Sequence, residues 1–363
     1  HLSKSLSLQI RIPLLMEALT CTSALEKCDY QRLEILGDSV LKYLASEFLY
    51  RTTDLASEGV LSSKRSAIVC NSRLFNLALE RKFYMYMFVN PVRHSRWKAP
   101  ELENLEVSGS DSEEEIEVVE EAGWEKLLDE YGEIVLNSQR EKVALSNKQL
   151  ADCVEALIGA AFLEGGFDFA KRLLYDFKLI DLREGEVVQS IKETDNYESL
   201  EEDLSYVFKD KGWLVEALEH SSTNKAYSYE RLEFLGDAIL DMVVMEFLFF
   251  KFPRAKPGSL SKMKSEVVNN KFLAYIATQL KLYFFLREDN PNLQEDVLNC
   301  AQVIEEMDFN SISDFNKIPD EDNKVLGDLF EAVIGAIYMD SSSFEECKRV
   351  IIGLTLEFLE KLE

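Results

Sequence analysis

The sequence predicts an all-α protein made of two copies of one helical domain, and three observations lead there. The chain has 363 residues, more than the roughly 250–300 at which a single hydrophobic core stops growing. It matches itself without gaps at an offset of 199 residues, the mark of an internal duplication. In both copies apolar residues recur with the helical period, while strand alternation is scarce.

The repeat begins with Leu15-Met16-Glu17-Ala18-Leu19, which lies on Leu214-Val215-Glu216-Ala217-Leu218. Tyr30-Gln31-Arg32-Leu33-Glu34-Ile35-Leu36-Gly37-Asp38 then lies on Tyr229-Glu230-Arg231-Leu232-Glu233-Phe234-Leu235-Gly236-Asp237. A helix follows from Leu41, Leu44, Ala45, Phe48 and Leu49, spaced i, i+3, i+4, i+7, i+8, and Leu240, Val243, Val244, Phe247 and Leu248 repeat it in phase. Gly59 and the Pro257-Gly258 pair read as loops. The next helices are expected at Ser72 to Arg81 and Lys271 to Leu280. Residues 148–159 match 324–335 at the shorter offset of 176, so the first copy carries 23 extra residues. The expected domains are 1–182 and 201–363, with a polar joint at 183–200.

Charge locates the extra length. The net charge is −26, and Glu101 to Glu133 hold fourteen acidic residues against one basic, Lys126, about half of the total. With few apolar residues, this stretch is expected to be a solvated, disordered loop. The remaining body is only moderately acidic, which tempers the objection that a nucleic-acid binder should be basic. No apolar run approaches the ~18 residues of a membrane span. The start at His1 without a basic-then-apolar leader reads as an excised piece of a longer protein. Six scattered cysteines without a CxxC pair and three histidines argue against a zinc site or a disulfide framework, and for a reducing intracellular compartment, nucleus or cytoplasm.

Two constellations carry chemistry. On a helix Glu34 and Asp38 share the stripe of Leu41, Ala45 and Phe48. An i,i+4 acidic pair is ordinarily a solvated surface feature, but this one continues an apolar face and recurs at Glu233 and Asp237. Unpaired buried charge is expensive, and a bound cation resolves it. The second constellation is Asp152 and Glu155, repeated at Asp328 and Glu331, with Ala156 and Gly159 (Ala332 and Gly335) continuing the face; a packing seam with acids at its rim is the competing reading. Together each copy offers four carboxylates, hard oxygen donors suited to magnesium or manganese. Two such ions per centre suit in-line phosphodiester hydrolysis. Lys148 and Lys324, four residues before Asp152 and Asp328, either face the phosphate or are solvated. No Walker-type loop and no repeated histidine supports nucleotide or triad chemistry.

Arg-Leu-Glu-Ile-Leu-Gly-Asp at 32–38, its copy at 231–237, and Asp-x-x-Glu-Ala-x-Ile-Gly-Ala at 152–160 and 328–336 resemble the two motifs of the ribonuclease III family, in order and twice. The resemblance implies metal-binding and catalytic roles for Glu34, Asp38, Asp152, Glu155, Glu233, Asp237, Asp328 and Glu331, with Lys148 and Lys324 near the active sites. It implies an intramolecular pseudo-dimer rather than an obligate homodimer. Each centre would cut one strand of double-stranded RNA, leaving 5′-phosphates and short 3′ overhangs. Leu-Gly-Asp-Ser-Val-Leu-Lys-Tyr at 36–43 and Leu-Gly-Asp-Ala-Ile-Leu-Asp at 235–241 are similar to the first and second domains of Dicer-type enzymes of RNA silencing; a Drosha-type enzyme is the nearest alternative. Gln31, where Glu230 has the usual acid, departs from the pattern.

Duplex RNA is read by shape and by phosphate and 2′-hydroxyl contacts. Candidates are Ser62, Lys64, Arg65 and Asn71, with Ser261, Lys262, Lys264 and Asn270 in the second copy; solvated helix-start residues are the plainer reading. Low basicity predicts weak RNA affinity for this piece, helped by other RNA-binding regions or a double-stranded-RNA-binding protein. The rivals are a non-catalytic ribonuclease III-like binding module, which predicts loss of carboxylates in one copy, and an acidic interaction protein without metal dependence.

Overall fold

A computed structural model describes residues 10–53, 56–89, 125–128, 134–137, 142–181, 189–192, 196–309, 312–318 and 323–362. In the first copy α1 (Ile12–Leu19) leads to α2 (Gln31–Thr52), α3 (Glu58–Val69), α4 (Asn71–Glu80) and α5 (Asn147–Asp176). The second copy comprises α6 (Glu198–Asp203), α7 (Gly212–Ala217), α8 (Glu230–Lys251), α9 (Pro257–Val267), α10 (Asn270–Gln279), α11 (Pro291–Glu305), α12 (Asn323–Ser341) and α13 (Phe344–Leu359). Both copies are thus helical, as the period-3.6 pattern requires. No helix is long and apolar enough to cross a membrane among the described residues.

The duplication extends to backbone detail. Thr20 bridges Phe88 in the first copy and Glu219 bridges Arg287 in the second. Leu25 and Asn224, and Lys82 and Lys281, occupy left-handed backbone at matching positions. Helix α5 starts with a capping box between Ser146 and Gln149 and kinks at Gly165-Gly166, where the backbone leaves helical geometry.

Two local expectations need correction. Gly59 and Pro257-Gly258 are not loops: they stand in the first turns of α3 and α9, where the fixed φ of proline suits the first helical position. Three short antiparallel strands, β1 (Glu125–Leu128), β2 (Ile134–Asn137) and β3 (Lys142–Leu145), precede α5 in the order β1-β2-β3. Most of the acidic stretch lies outside the described residues, but its part Glu125–Leu128 is a strand. The apolar runs Leu127-Leu128, Ile134-Val135-Leu136 and Val143-Ala144-Leu145 are too short to show a period.

Each copy is centred on a crossing of two long helices, α2 with α5 and α8 with α12. Glycines set that crossing. A Cβ on Gly37 would stand 1.8 Å from the carbonyl oxygen of Glu155, and one on Gly159 2.3 Å from that of Leu33. Gly236 against Glu331 (1.8 Å) and Gly335 against Leu232 (2.2 Å) repeat the arrangement. Helix backbones therefore touch beside both acidic constellations.

The copies face each other through α2 and α8. Arg32 donates to the carbonyls of Phe252 (3.1 Å), Ala255 (2.6 Å) and Phe249 (3.0 Å). Arg231 donates reciprocally to Thr53 (3.2 Å), Ala56 (2.9 Å) and Tyr50 (3.3 Å). Each guanidinium also lies over an aromatic ring of the other copy, Arg32 on Phe249 and Arg231 on Tyr50. These carbonyls sit at or just beyond the C-terminal ends of α2 and α8, where helix carbonyls lack internal partners and carry partial negative charge.

Candidate metal centres

Because the glycine contacts draw α2 onto α5, the two constellations meet. Glu34, Asp152 and Glu155 each offer a carboxylate oxygen, all within 4.8 Å of one another, and Glu233, Asp328 and Glu331 do the same in the second copy. Asp152, Glu155, Asp328 and Glu331 are buried, each at most 9% exposed. The glycine contacts do form a packing seam here, and the acids gather at its edge, three to a point in each copy.

Their electrostatics are unbalanced. Burial, then the charges of Asp38, Asp152 and Glu34, push the Glu155 carboxyl up to about 9. Burial, with Asp237, Asp328 and Glu233 close by, drives Glu331 well above its ordinary range. Burial and Asp328 raise Glu233 to about 7. Lys148 supplies part of the missing positive charge, 2.7 Å from Asp152 and 3.4 Å from Glu34. Lys324 mirrors it, bonded to Asp328 and 3.7 Å from Glu233. One lysine against three acids leaves a deficit that a divalent cation fits, and the donors are the hard oxygens that magnesium and manganese prefer.

The remaining predicted ligands stand slightly apart. Asp38 lines a cavity of about 260 Å³ with Glu34, Asp152 and Glu155, but it is outside the close triad. Asp237 is likewise outside its triad and is instead paired with Lys42 and Arg65 of the first copy.

The RNA-contact candidates divide. Asn71 lines the first cavity with Lys148, and so do Ser261 and Lys264, which reach it from the second copy. Arg65 is tied to Asp237, and Lys264 to Asp241 at 2.9 Å, so neither is a free surface cation. Ser62 bonds Glu58 (2.6 Å), Lys64 reaches Thr53 (3.4 Å) and Lys262 pairs with Glu266 (3.7 Å). Asn270 is exposed at the start of α10.

Sequence reasoning missed several residues that shape the centres. The Tyr30 hydroxyl donates to Asp152 at 3.4 Å, and Tyr229 faces Asp328. Both tyrosines are in the repeated motif, so duplication was the available signal. Lys42, Asp241 and Ser39, which join the copies between the centres, gave none, because the repeat does not preserve them. His220 accepts from the Ser222 amide and caps a short 3-10 turn.

The ribonuclease III domain model matches residues 31–166 and again 230–342. The chain is 34% identical over 94% of its length to Endoribonuclease Dicer homolog 1 of Arabidopsis thaliana, and 30% identical over 92% to Dicer-like protein 1 of Aspergillus niger. It spans only 19% and 22% of those proteins. Among solved structures, the nuclease domain of ribonuclease III from Campylobacter jejuni is similar at 38% identity, covering 45% of this chain and 97% of that domain, with a TM-score of 0.36. Matched in both halves, with both motifs gathered into one site in each, the chain belongs to the ribonuclease III family as a tandem, Dicer-like pair of domains.

Proposed function

We propose that this chain is a double-strand-specific endoribonuclease of Dicer type, with domains at 1–182 and 201–363 and one cleavage centre in each. The observation that carries the reading is the buried carboxylate triad, present in both copies and under-compensated in both. Duplication without decay of any of the eight acids speaks against a binding module that has lost its chemistry.

In each centre Glu34, Asp152 and Glu155, or Glu233, Asp328 and Glu331, would hold divalent magnesium or manganese, with Asp38 or Asp237 completing the set. Bound there as a pair, such ions would activate a water and stabilise the leaving oxygen of an in-line displacement. The protein's own residues prepare that site. Tyr30 orients Asp152, and Lys148 stands between Asp152 and Glu34, where its ammonium can face a phosphate. The lysine is about two-thirds exposed, so it reaches solvent and substrate.

The two centres, one per strand, would yield small RNA duplexes with 5′-phosphates and short 3′ overhangs, the products used in RNA silencing. The pairing is intramolecular, supported by the reciprocal Arg32 and Arg231 contacts. A double-stranded-RNA-binding protein is a candidate partner for an acidic nuclease core.

The test is cleavage of a long, end-labelled RNA duplex with magnesium, comparing the unaltered chain with Asp38→Ala and Asp237→Ala. Each variant should spare one strand, and the two should spare opposite strands. Binding of duplex without any cutting, with magnesium or manganese, would replace this reading with that of a binding module.

A further inference from the structure

Lys42 and Asp241 occupy equivalent positions of the two copies but carry opposite charge, so the duplication is broken where the copies meet. Lys42 Nζ lies 3.0 Å from Asp237 Oδ1 and 3.5 Å from Asp241 Oδ1. Arg65 Nη1 lies 3.3 Å from Asp237 Oδ2 and is itself braced by Ser46 Oγ at 3.1 Å and by the Phe234 ring at 4.5 Å. Both oxygens of Asp237 therefore end on cations of the other copy.

The first centre is built differently. Lys264, the counterpart of Arg65, pairs with Asp241 at 2.9 Å, and the counterpart of Lys42 is the acid Asp241 itself. Asp241 also accepts from Ser39 at 2.8 Å, so it keeps two partners without Lys42. Among the described residues Asp38 has no direct ion pair, though Lys264, which lines the same cavity, and Lys42 act on its charge from farther away. Lys42 helps offset the buried Asp241, but its shorter contact is to Asp237.

We propose that Lys42 is a positioning residue for the second centre: the first domain, through Lys42 and with Arg65, fixes the Asp237 carboxylate, so the second centre is complete only when the first domain is docked. In the first centre Lys42 acts on Asp38 only at longer range, without the direct bond it makes to Asp237. This inference rests on the reading of Asp237 as part of a cleavage centre. Two donors on two oxygens hold a carboxylate in one rotamer, and a reacting group displaced by about 1 Å costs about a hundredfold in rate.

The experiment uses the whole chain on an end-labelled duplex. Asp237→Ala first identifies the strand that the second centre cuts. Lys42→Met is expected to slow that cut by about tenfold or more, to slow the other strand's cut far less, and to be rescued by Lys42→Arg. Equal slowing of both strands, or no slowing, overturns the proposal. Manganese binding to the RNA-free protein, followed by electron paramagnetic resonance, should show as many bound ions in Lys42→Met as in the unaltered chain; a lost ion would mean collapse of the centre and a structural role. If Lys42→Met does not fold, Lys42→Gln removes the charge while keeping a polar side chain there. It should again impair chiefly the second centre's cut, and normal cutting of both strands would overturn the proposal. Should Asp237→Ala cut both strands normally, the reading of the centre fails; normal cutting by Lys42→Met beside a one-strand defect in Asp237→Ala sinks the inference alone.

Discussion

Replacing Gly37 by alanine isolates the contact that brings the first site together. In an exposed helix the change favours folding by about 1 kcal/mol, because alanine restricts the unfolded chain and glycine does not. Here the new Cβ would stand 1.8 Å from the Glu155 carbonyl oxygen, and helix α5 must withdraw by at least 1.2 Å to reach the 3.0 Å that real Cβ atoms respect. Overpacking of that kind costs about 1–3 kcal/mol, and because the obstacle is backbone rather than a flexible side chain we take the upper end. The net expectation is a destabilisation of about 2 kcal/mol. The atom displaced belongs to Glu155 itself, so the same shift moves one member of the triad relative to Glu34 and should cost the first centre about a hundredfold. Denaturant unfolding measures the first effect and strand-resolved cleavage the second. Gly59→Ala is the control: its Cβ meets nothing within 4 Å, so it should be neutral or stabilising. If Gly37→Ala is as stable as Gly59→Ala and cuts both strands normally, the close crossing is not what assembles the site.

Removing Arg32 leaves three carbonyls of the other copy without their donor, and Arg32→Ala should destabilise the chain by about 2–3 kcal/mol in denaturant unfolding, with Arg231→Ala close behind. Lysine in place of Arg231 should recover only part of this, since one ammonium lacks the planar fork that serves several acceptors. The pH dependence follows from Glu155, whose carboxyl rises from an ordinary 4.5 to about 9, chiefly by burial. A raised folded pKa means that its stabilising contribution is present below pH 4.5 and lost as pH rises through about 9. Metal-free protein should therefore melt lower at pH 8 than at pH 5, and magnesium should restore the melting temperature at pH 8 with little effect at pH 5. Glu155→Gln should flatten that dependence and raise the metal-free melting temperature at pH 8; a pH-independent profile in the unaltered chain would show that the triad carries no such strain.

Much of this was legible before any fold was known. The repeat exposed the two domains, the helical stripe put Glu34 and Asp38 on one face, and the paired motifs singled out eight acids. Elsewhere local signals misled. Gly59 and Pro257-Gly258 read as loops because both residue types break helices internally, yet a first turn tolerates them. The strands β1 to β3 were too short to register against a helical background. The partners of the RNA-contact candidates Arg65 and Lys264, Asp237 and Asp241, were likewise invisible to local pattern.

By itself the sequence determined the duplication, the helical class and the chemical type of the site, since all three are periodic or compositional and survive without coordinates. Only the tertiary structure decided which acids meet. A helical period places Glu34 and Asp38 on the same face, but it says nothing of the helix opposite. The crossing at Gly37 and Gly159 joined Glu34 to Asp152 and Glu155 and left Asp38 at the edge. Only the docking of the two copies, in turn, set Lys42 and Arg65 on Asp237, because a charge pair between residues 195 and 172 apart is fixed by how surfaces meet and not by any local pattern.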